Sequence, residues 1–137
     1  MSLPYPKVLL AGIAGTAAMT IVGLFVAPMM GLAPMNPATM LAGAMGGSMV
    51  LGWMAHVMIG VVLAVGYALV AARLPGPAAA RGAIFALAPW LMAQVLVLPM
   101  MGMPLFAGSA MVAVGSLVGH VVYGIVVGTV LGVRADG

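Results

Sequence analysis

Two histidines are the side chains of this sequence best suited to carry chemistry. Residues 56–60 read HVMIG and residues 120–124 read HVVYG, so His56 and His120 open the same short pattern inside two long apolar segments. Counted from the outer edges of these segments at helical rise, they lie about 12 Å and about 15 Å deep. Two imidazoles at similar depth on diagonal helices of a bundle can supply both axial ligands of a haem b or a related tetrapyrrole. Alternatively, each ring hydrogen-bonds a backbone carbonyl, Gln94 or a threonine hydroxyl and joins two helices.

Methionine offers a second kind of chemistry. The chain has 15 methionines, most of them in the half predicted to lie outside the cytoplasm, and soft thioethers, like imidazole, are good ligands for Cu(I). Met45 and Met49 are one helical turn apart in sequence and are expected to point towards His56. A metal site of Met45, Met49, His56 and His120 would make the chain a Cu(I)-binding or copper-delivery protein. Alternatively, these methionines are flexible fillers of an apolar core.

Other groups on which catalysis commonly depends are missing from the sequence. There is no cysteine, and the only acidic residue, Asp136, follows the last apolar segment. Without an intramembrane carboxylate, the chain lacks the means for paired-carboxylate catalysis and for proton-coupled transport of the Asp/Glu type. It also lacks a Ser/His/Asp set and a phosphate-binding loop, and four basic residues make no surface for nucleic acid. We therefore predict a protein that is not an enzyme and binds no nucleic acid.

The elements that must position the histidines and methionines are membrane-spanning helices. The sequence is 66% hydrophobic and 4% charged, with a mean hydropathy of +1.34, which predicts that lipid is its solvent. Four apolar segments reach the roughly 20 residues that a spanning α-helix needs: residues 8–30, 48–72, 82–103 and 110–133. We expect one transmembrane domain over residues 1–137, with the lipid bilayer as its surroundings.

The basic residues predict how these spans are oriented. They flank the spans at one side of the membrane only, in the order Lys7, Arg73, Arg81 and Arg134. Because Lys and Arg are retained on the cytoplasmic side, both termini and the central loop are expected in the cytoplasm. The sequence thus predicts a multi-pass protein of the inner (cytoplasmic) membrane.

Two short patterns recur in the same order and indicate an internal repeat. Residues 28–31 and residues 99–102 both read PMMG, and each precedes one of the two histidine patterns. We therefore predict an all-α integral membrane four-helix bundle built from two tandem helical hairpins, residues 8–73 and 82–134, related by a pseudo-two-fold axis along the membrane normal.

The first hairpin has room for one additional helix. Its spacing from the PMMG pattern to histidine is seven residues longer than that of the second hairpin. Asn36 followed by Pro37 is a typical helix start, and Gly46-Gly47 is a break. A short interfacial helix is therefore expected between spans one and two.

Glycines at helical spacing are expected to mediate helix packing. Small residues let helix backbones approach closely in lipid, and the chain offers Gly52, Gly60, Gly115, Gly119, Gly124, Gly128 and Gly132. They would form a subunit interface or make room for a flat cofactor. Alternatively, these glycines serve only the close packing of helices inside the bundle.

The two PMMG turns, the Asn36-Pro37 helix start and the two histidine patterns resemble a family of small prokaryotic four-helix membrane proteins of unknown function. The resemblance covers nearly the whole chain and implies no catalytic residues. Such proteins often serve in larger assemblies. The resulting expectation is a non-enzymatic accessory or scaffold subunit of a respiratory or photosynthetic membrane complex, with other membrane-protein subunits as partners and a tetrapyrrole held between His56 and His120. The Cu(I)-handling protein is the alternative, and a small-solute permease ranks last because polar lining is scarce.

Overall fold

The structure, a computed structural model, describes residues 4–132, and within that part of the chain it is α-helical and contains no β-strand. Four helices are long and apolar enough to cross a membrane, which confirms the prediction of an all-α membrane protein with four spans. Arg134 and Asp136, which entered the predictions above, lie outside the described residues. In chain order the helices are α1 (Tyr5–Met29), α2 (Pro37–Ala44), α3 (Met49–Arg73), α4 (Ala78–Met100) and α5 (Ala110–Leu131).

Side chains cap the starts of three helices. The hydroxyls of Ser48 and Ser109 each accept the backbone N–H of the third helical residue, at 3.4 Å in both cases. Asn36 accepts the N–H of Ala38 at 3.0 Å, and Pro37 occupies the first helical position of α2. These caps satisfy backbone donors that have no partner within the helix. The helix expected after Asn36 is therefore present as α2.

Both α1 and α4 contain a π-helical turn near their ends, at Val22–Val26 and Ala93–Val97. These turns begin 71 residues apart, which is also the separation of Pro28 and Pro99 that follow them. Proline is the physical cause, because it has no N–H and its ring displaces the carbonyl four residues earlier. The helix accommodates the displaced carbonyl by widening locally.

The turns after these prolines also match. Gly31 and Gly102 have φ values of +81° and +79°, in a left-handed conformation that favours glycine. The N–H groups of Leu32 and Met103 close the two turns by donating to carbonyls five residues earlier, at 3.2 and 3.0 Å. The two Pro-Met-Met-Gly segments therefore leave their helices with the same backbone conformation.

The four long helices follow one another around a bundle that is open on one side. Helix α1 packs against α3 and α5, and α5 also packs against α4. By contrast, α3 and α4 touch little beyond the loop that joins them. This order places α3 and α5, which carry the two histidines, on one diagonal of the bundle.

The interior of the bundle is solid only at the end where α1 begins and α5 ends. Buried side chains from α1, α3 and α5 form a continuous core there, with Val8, Tyr67, Tyr123, Val127 and Leu131 among its members. Helix α4 closes this half from outside through glycine contacts with α5. The other half, towards the Pro-Met-Met-Gly turns, is hollow.

Glycine permits the closest helix contact, which is between α4 and α5. A Cβ on Gly82 would overlap the carbonyl oxygen of Gly124, and a Cβ on Gly124 would overlap the carbonyl oxygen of Gly82. A Cβ on Gly128 would overlap the carbonyl oxygen of Ala78. Because these neighbours are backbone atoms, the two helices can approach this closely only where side chains are absent.

Most of the other glycines expected to mediate packing also face neighbours inside the chain. A Cβ on Gly52 would lie 2.8 Å from the Cβ of Ala42 in α2, and one on Gly60 would overlap the Thr16 hydroxyl. Gly115 and Gly119 pack against the Leu32 and Met19 side chains. Gly132 differs, because it ends α5 in a left-handed conformation with φ +52° and contacts no other helix within 4 Å among the described residues.

Candidate functional site

The hollow half of the bundle contains a cavity of about 390 Å³ that is lined by all four long helices and by α2. This volume lies in the range of small-molecule binding sites, roughly 300–1,000 Å³. Tyr123 forms part of the floor, and its hydroxyl donates a hydrogen bond to the carbonyl of Gly60 at 2.5 Å. That bond joins α5 to α3 across the diagonal. Both His56 and His120 line the cavity above it.

His120 presents a free nitrogen to this space. Its Nδ1 lies 2.8 Å from the backbone carbonyl of Ser116. A carbonyl oxygen only accepts, so in the neutral ring Nδ1 carries the proton and Nε2 keeps its lone pair. Within residues 4–132 this Nε2 has no hydrogen-bond partner. A histidine fixed through one ring nitrogen, with the other bare, has the form in which imidazole binds metals.

His56 is held by a threonine hydroxyl on α1. Its Nε2 lies 3.0 Å from the Thr20 hydroxyl, which itself donates to the carbonyl of Thr16 at 2.8 Å. A hydroxyl has one proton to donate, so His56 must be the donor in its bond to Thr20. The lone pair of the ring is therefore on Nδ1. Each histidine thus makes a hydrogen bond of the kind that the sequence allowed as an alternative to metal binding, and each keeps one lone pair.

Gln94, which the sequence suggested only as a hydrogen-bond partner for histidine, also lines the site. It is 2% exposed, lines the cavity, and donates from Nε2 to the Ser116 hydroxyl at 3.1 Å. Its Oε1 is buried and has no hydrogen-bond partner in the described part of the chain. An unpaired buried amide oxygen costs about 1–3 kcal/mol. The sequence offered one signal that Gln94 belongs to a site: it is the only amide side chain within an apolar helix.

Five thioethers share the cavity with the histidines. They come from α1, from the segment around the start of α2, from α4 and from the turn after α4, and they belong to Met19, Met35, Met40, Met92 and Met103. Two of them pack on α5 within five residues of His120: positions for a Cβ on Gly119 and Gly115 lie 3.4 Å from the Met19 Cγ and 3.4 Å from the Met35 sulfur.

The structure does not bring Met45 and Met49 to His56. Met45 follows the last residue of α2, is 43% exposed and lies in a shallow outer groove with Trp53. Met49 is the first residue of α3 and is 42% exposed. Two glycines with positive φ, Gly46 and Gly47, separate them. The helical register that would have placed them one turn apart is therefore broken, and the expected set of Met45, Met49, His56 and His120 is not assembled.

The cavity offers neutral ligands. Its lining contains no charged side chain, and among residues 4–132 no three His, Cys, Asp or Glu side chains lie together. What it brings together are two imidazoles, five thioethers and an unpaired amide oxygen. This chemistry suits a soft ion better than a hard one.

Comparison with known proteins gives one match. A family model described as a family of unknown function, DUF6789, matches residues 5–136. No curated protein matches the chain, and no solved structure does.

Proposed function

The chain belongs to this family of unknown function, and we propose that it is a small non-enzymatic membrane protein that binds Cu(I) in the cavity between its helices. The observation that carries the proposal is the bare Nε2 of His120 in the same cavity as five thioethers. Cu(I) accepts soft sulfur and imidazole ligands. The proposal differs from the sequence-based alternative in the methionines that it uses.

We assign the first ligands to His120, Met19 and Met35. Both methionines pack on α5 within five residues of His120 and line the same cavity, and an ion shared by the three groups requires side-chain rotations that bring them together. Methionine has flexible torsions that permit such rotations. Because Cu(I) carries a single charge, its burial among neutral ligands costs less than burial of a divalent ion, whose solvation energy is larger.

The test is a competition titration of purified, reconstituted protein with Cu(I) and a chromophoric chelator, under anaerobic and reducing conditions. The native chain is expected to bind one Cu(I). His120→Ala, and Met19→Leu combined with Met35→Leu, should each weaken binding at least tenfold. The matched control combines Met45→Leu with Met49→Leu, which changes two methionines outside the cavity and should leave binding unchanged. Absence of binding, or an equal loss in the control, would contradict the proposal.

A tetrapyrrole is a second candidate ligand, and the bare Nε2 of His120 supports it as well. Axial haem ligands combine a bare nitrogen with a hydrogen bond from the other ring nitrogen, and His56 lies on the diagonal helix. It ranks second because Nε2 of His56 is engaged by Thr20 and because the lining has no cation for propionates. An absorption spectrum of protein purified from its native membrane tests it: a Soret band that His120→Ala abolishes would favour haem over copper.

We also propose the finer architecture predicted from the sequence: two tandem hairpins, cytoplasmic termini, and α2 at the membrane surface. The matching turns after Pro28 and Pro99 support the repeat, and the position of the basic residues supports the orientation. Cysteine labelling at the two ends of the bundle in intact cells tests the orientation.

Membership of a larger respiratory or photosynthetic complex stays a prediction. Six of the seven glycines that suggested an interface contact neighbours within the chain, so they give no support for a partner. Purification in mild detergent tests it: stoichiometric partner subunits would support the prediction, and isolation without them would contradict it.

A further inference from the structure

Among residues 4–132, the cations at the end of the bundle where α1 begins fall into two groups. Lys7 donates to the carbonyl of Leu131 at the end of α5, and Arg73 donates to the carbonyl of Leu69 near the end of α3, both at 3.4 Å. These are C-terminal helix ends, where the helix dipole is negative and a cation is stabilised. Each of these two cations is therefore compensated by a carbonyl near a helix C-terminus, although Lys7 itself lies in the first turn of α1.

No hydrogen bond of this kind compensates the Arg81 side chain within residues 4–132. Arg81 is the fourth residue of α4, at the positive end of the helix dipole, where a cation is unfavourable. Its Nε is buried and has no hydrogen-bond partner in the described part of the chain. No acidic residue occurs among residues 4–132 to compensate it. A partly buried guanidinium without an anion at such a position is costly unless something outside the chain supplies the negative charge.

The start of α4 adds further donors for an anion. Its N-cap is Pro77, which provides no side-chain hydrogen bond, so the first N–H groups of the helix lack partners in the helix. Tyr67 of α3 fixes this turn by donating to the Ala78 carbonyl at 3.3 Å. The turn lies next to the loop between α3 and α4, the neighbouring pair that packs least tightly. An anion there would meet the Arg81 guanidinium together with backbone N–H groups.

We propose that Arg81 and the first turn of α4 bind the phosphate of an anionic phospholipid. Lipid is the expected source because Arg81 lies one turn inside a membrane-spanning helix, close to the depth of the headgroups. Basic sites between transmembrane helices are known to hold such headgroups. This proposal uses none of the residues assigned to the cavity and is independent of Cu(I).

The test compares melting of the full chain in mild-detergent micelles that contain phosphatidylglycerol or phosphatidylcholine with identical acyl chains. The native protein should melt at a higher temperature with phosphatidylglycerol, because a ligand that binds the folded state stabilises it. Arg81→Gln should abolish the difference. Lys7→Gln and Arg73→Gln, which remove the same charge at the same end, should retain it. In native mass spectrometry, phosphatidylglycerol should bind Arg81→Gln roughly fivefold more weakly than it binds the native chain.

Three results would overturn the proposal. One is a native protein that does not distinguish the two lipids. Another is that Arg73→Gln loses as much of the stabilisation by phosphatidylglycerol as Arg81→Gln does, because that would indicate unspecific attraction to net charge. The third is equal stabilisation by inorganic phosphate, which would assign the site to a free anion. Arg81→Gln should melt no earlier than the native chain in phosphatidylcholine, since it removes an unfavourable charge, and this controls for misfolding.

Discussion

Replacing Gly82 by alanine tests whether the α4/α5 contact holds the bundle together. The added Cβ would overlap the carbonyl oxygen of Gly124 and lie 2.6 Å from its carbonyl carbon and 3.1 Å from the backbone nitrogen of Gly128. Ordinary carbon contacts lie at about 3.5–4.0 Å, so the helices must separate by about 1 Å. None of the colliding atoms belongs to a side chain that can rotate away.

The expected decrease in the free energy of unfolding follows from that separation. Overpacking of this kind costs roughly 1–3 kcal/mol, and the upper end applies because backbone atoms collide along the whole seam. A loss of about 3 kcal/mol lowers the ratio of folded to unfolded protein by roughly a hundredfold, since 1.4 kcal/mol is tenfold.

The matched control is Gly66→Ala in α3. There the new Cβ would lie 3.6 Å from the ring of Phe85, which is an ordinary contact, and alanine favours the helix by up to about 1 kcal/mol. Reversible unfolding in mixed micelles with increasing SDS, followed by helical circular dichroism, measures both variants. Equal stability of the two alanine variants would refute the reasoning that backbone contact between α4 and α5 requires glycine.

Two further substitutions test the hydrogen bonds around the cavity in the same unfolding assay. Thr20→Val keeps the shape of the side chain but removes the acceptor for His56, so stability should fall by about 1–3 kcal/mol because a buried N–H is left unpaired; an unchanged stability would mean that His56 has another acceptor. Tyr123→Phe removes the bond to the Gly60 carbonyl and should cost about 0.5–1.5 kcal/mol, whereas a stabilising effect would show that this bond is strained.

The outline of the fold could be predicted from local sequence. Each apolar segment becomes one long helix, because in lipid the backbone must satisfy its own hydrogen bonds. Asn36 and Pro37 start α2 as expected, since capping depends only on neighbouring residues. The two π-helical turns were not predicted, although the prolines that cause them were visible as a repeated pattern.

The candidate site was predicted only in part. His56 and His120 line one cavity, as their similar depth suggested. The expected methionine ligands, Met45 and Met49, do not line this cavity. The break expected at Gly46-Gly47 turns the backbone with positive φ and interrupts the helical spacing on which that choice relied. The position of Gln94 in the cavity was not predicted either, since a lone amide in an apolar segment does not reveal which way it points.

The sequence by itself determined the number of spans, their approximate ends and the end of the bundle that carries the positive charge, because hydropathy, capping and charge are local properties. Only the tertiary structure decided which side chains face inwards. Lipid solvates apolar residues on every side of a helix, so hydropathy does not distinguish the inner face from the outer one. Here the helix orientations are fixed by contacts between residues distant in sequence, such as Gly82 with Gly124 and Thr20 with His56, and those contacts decide which thioethers share the cavity with the histidines.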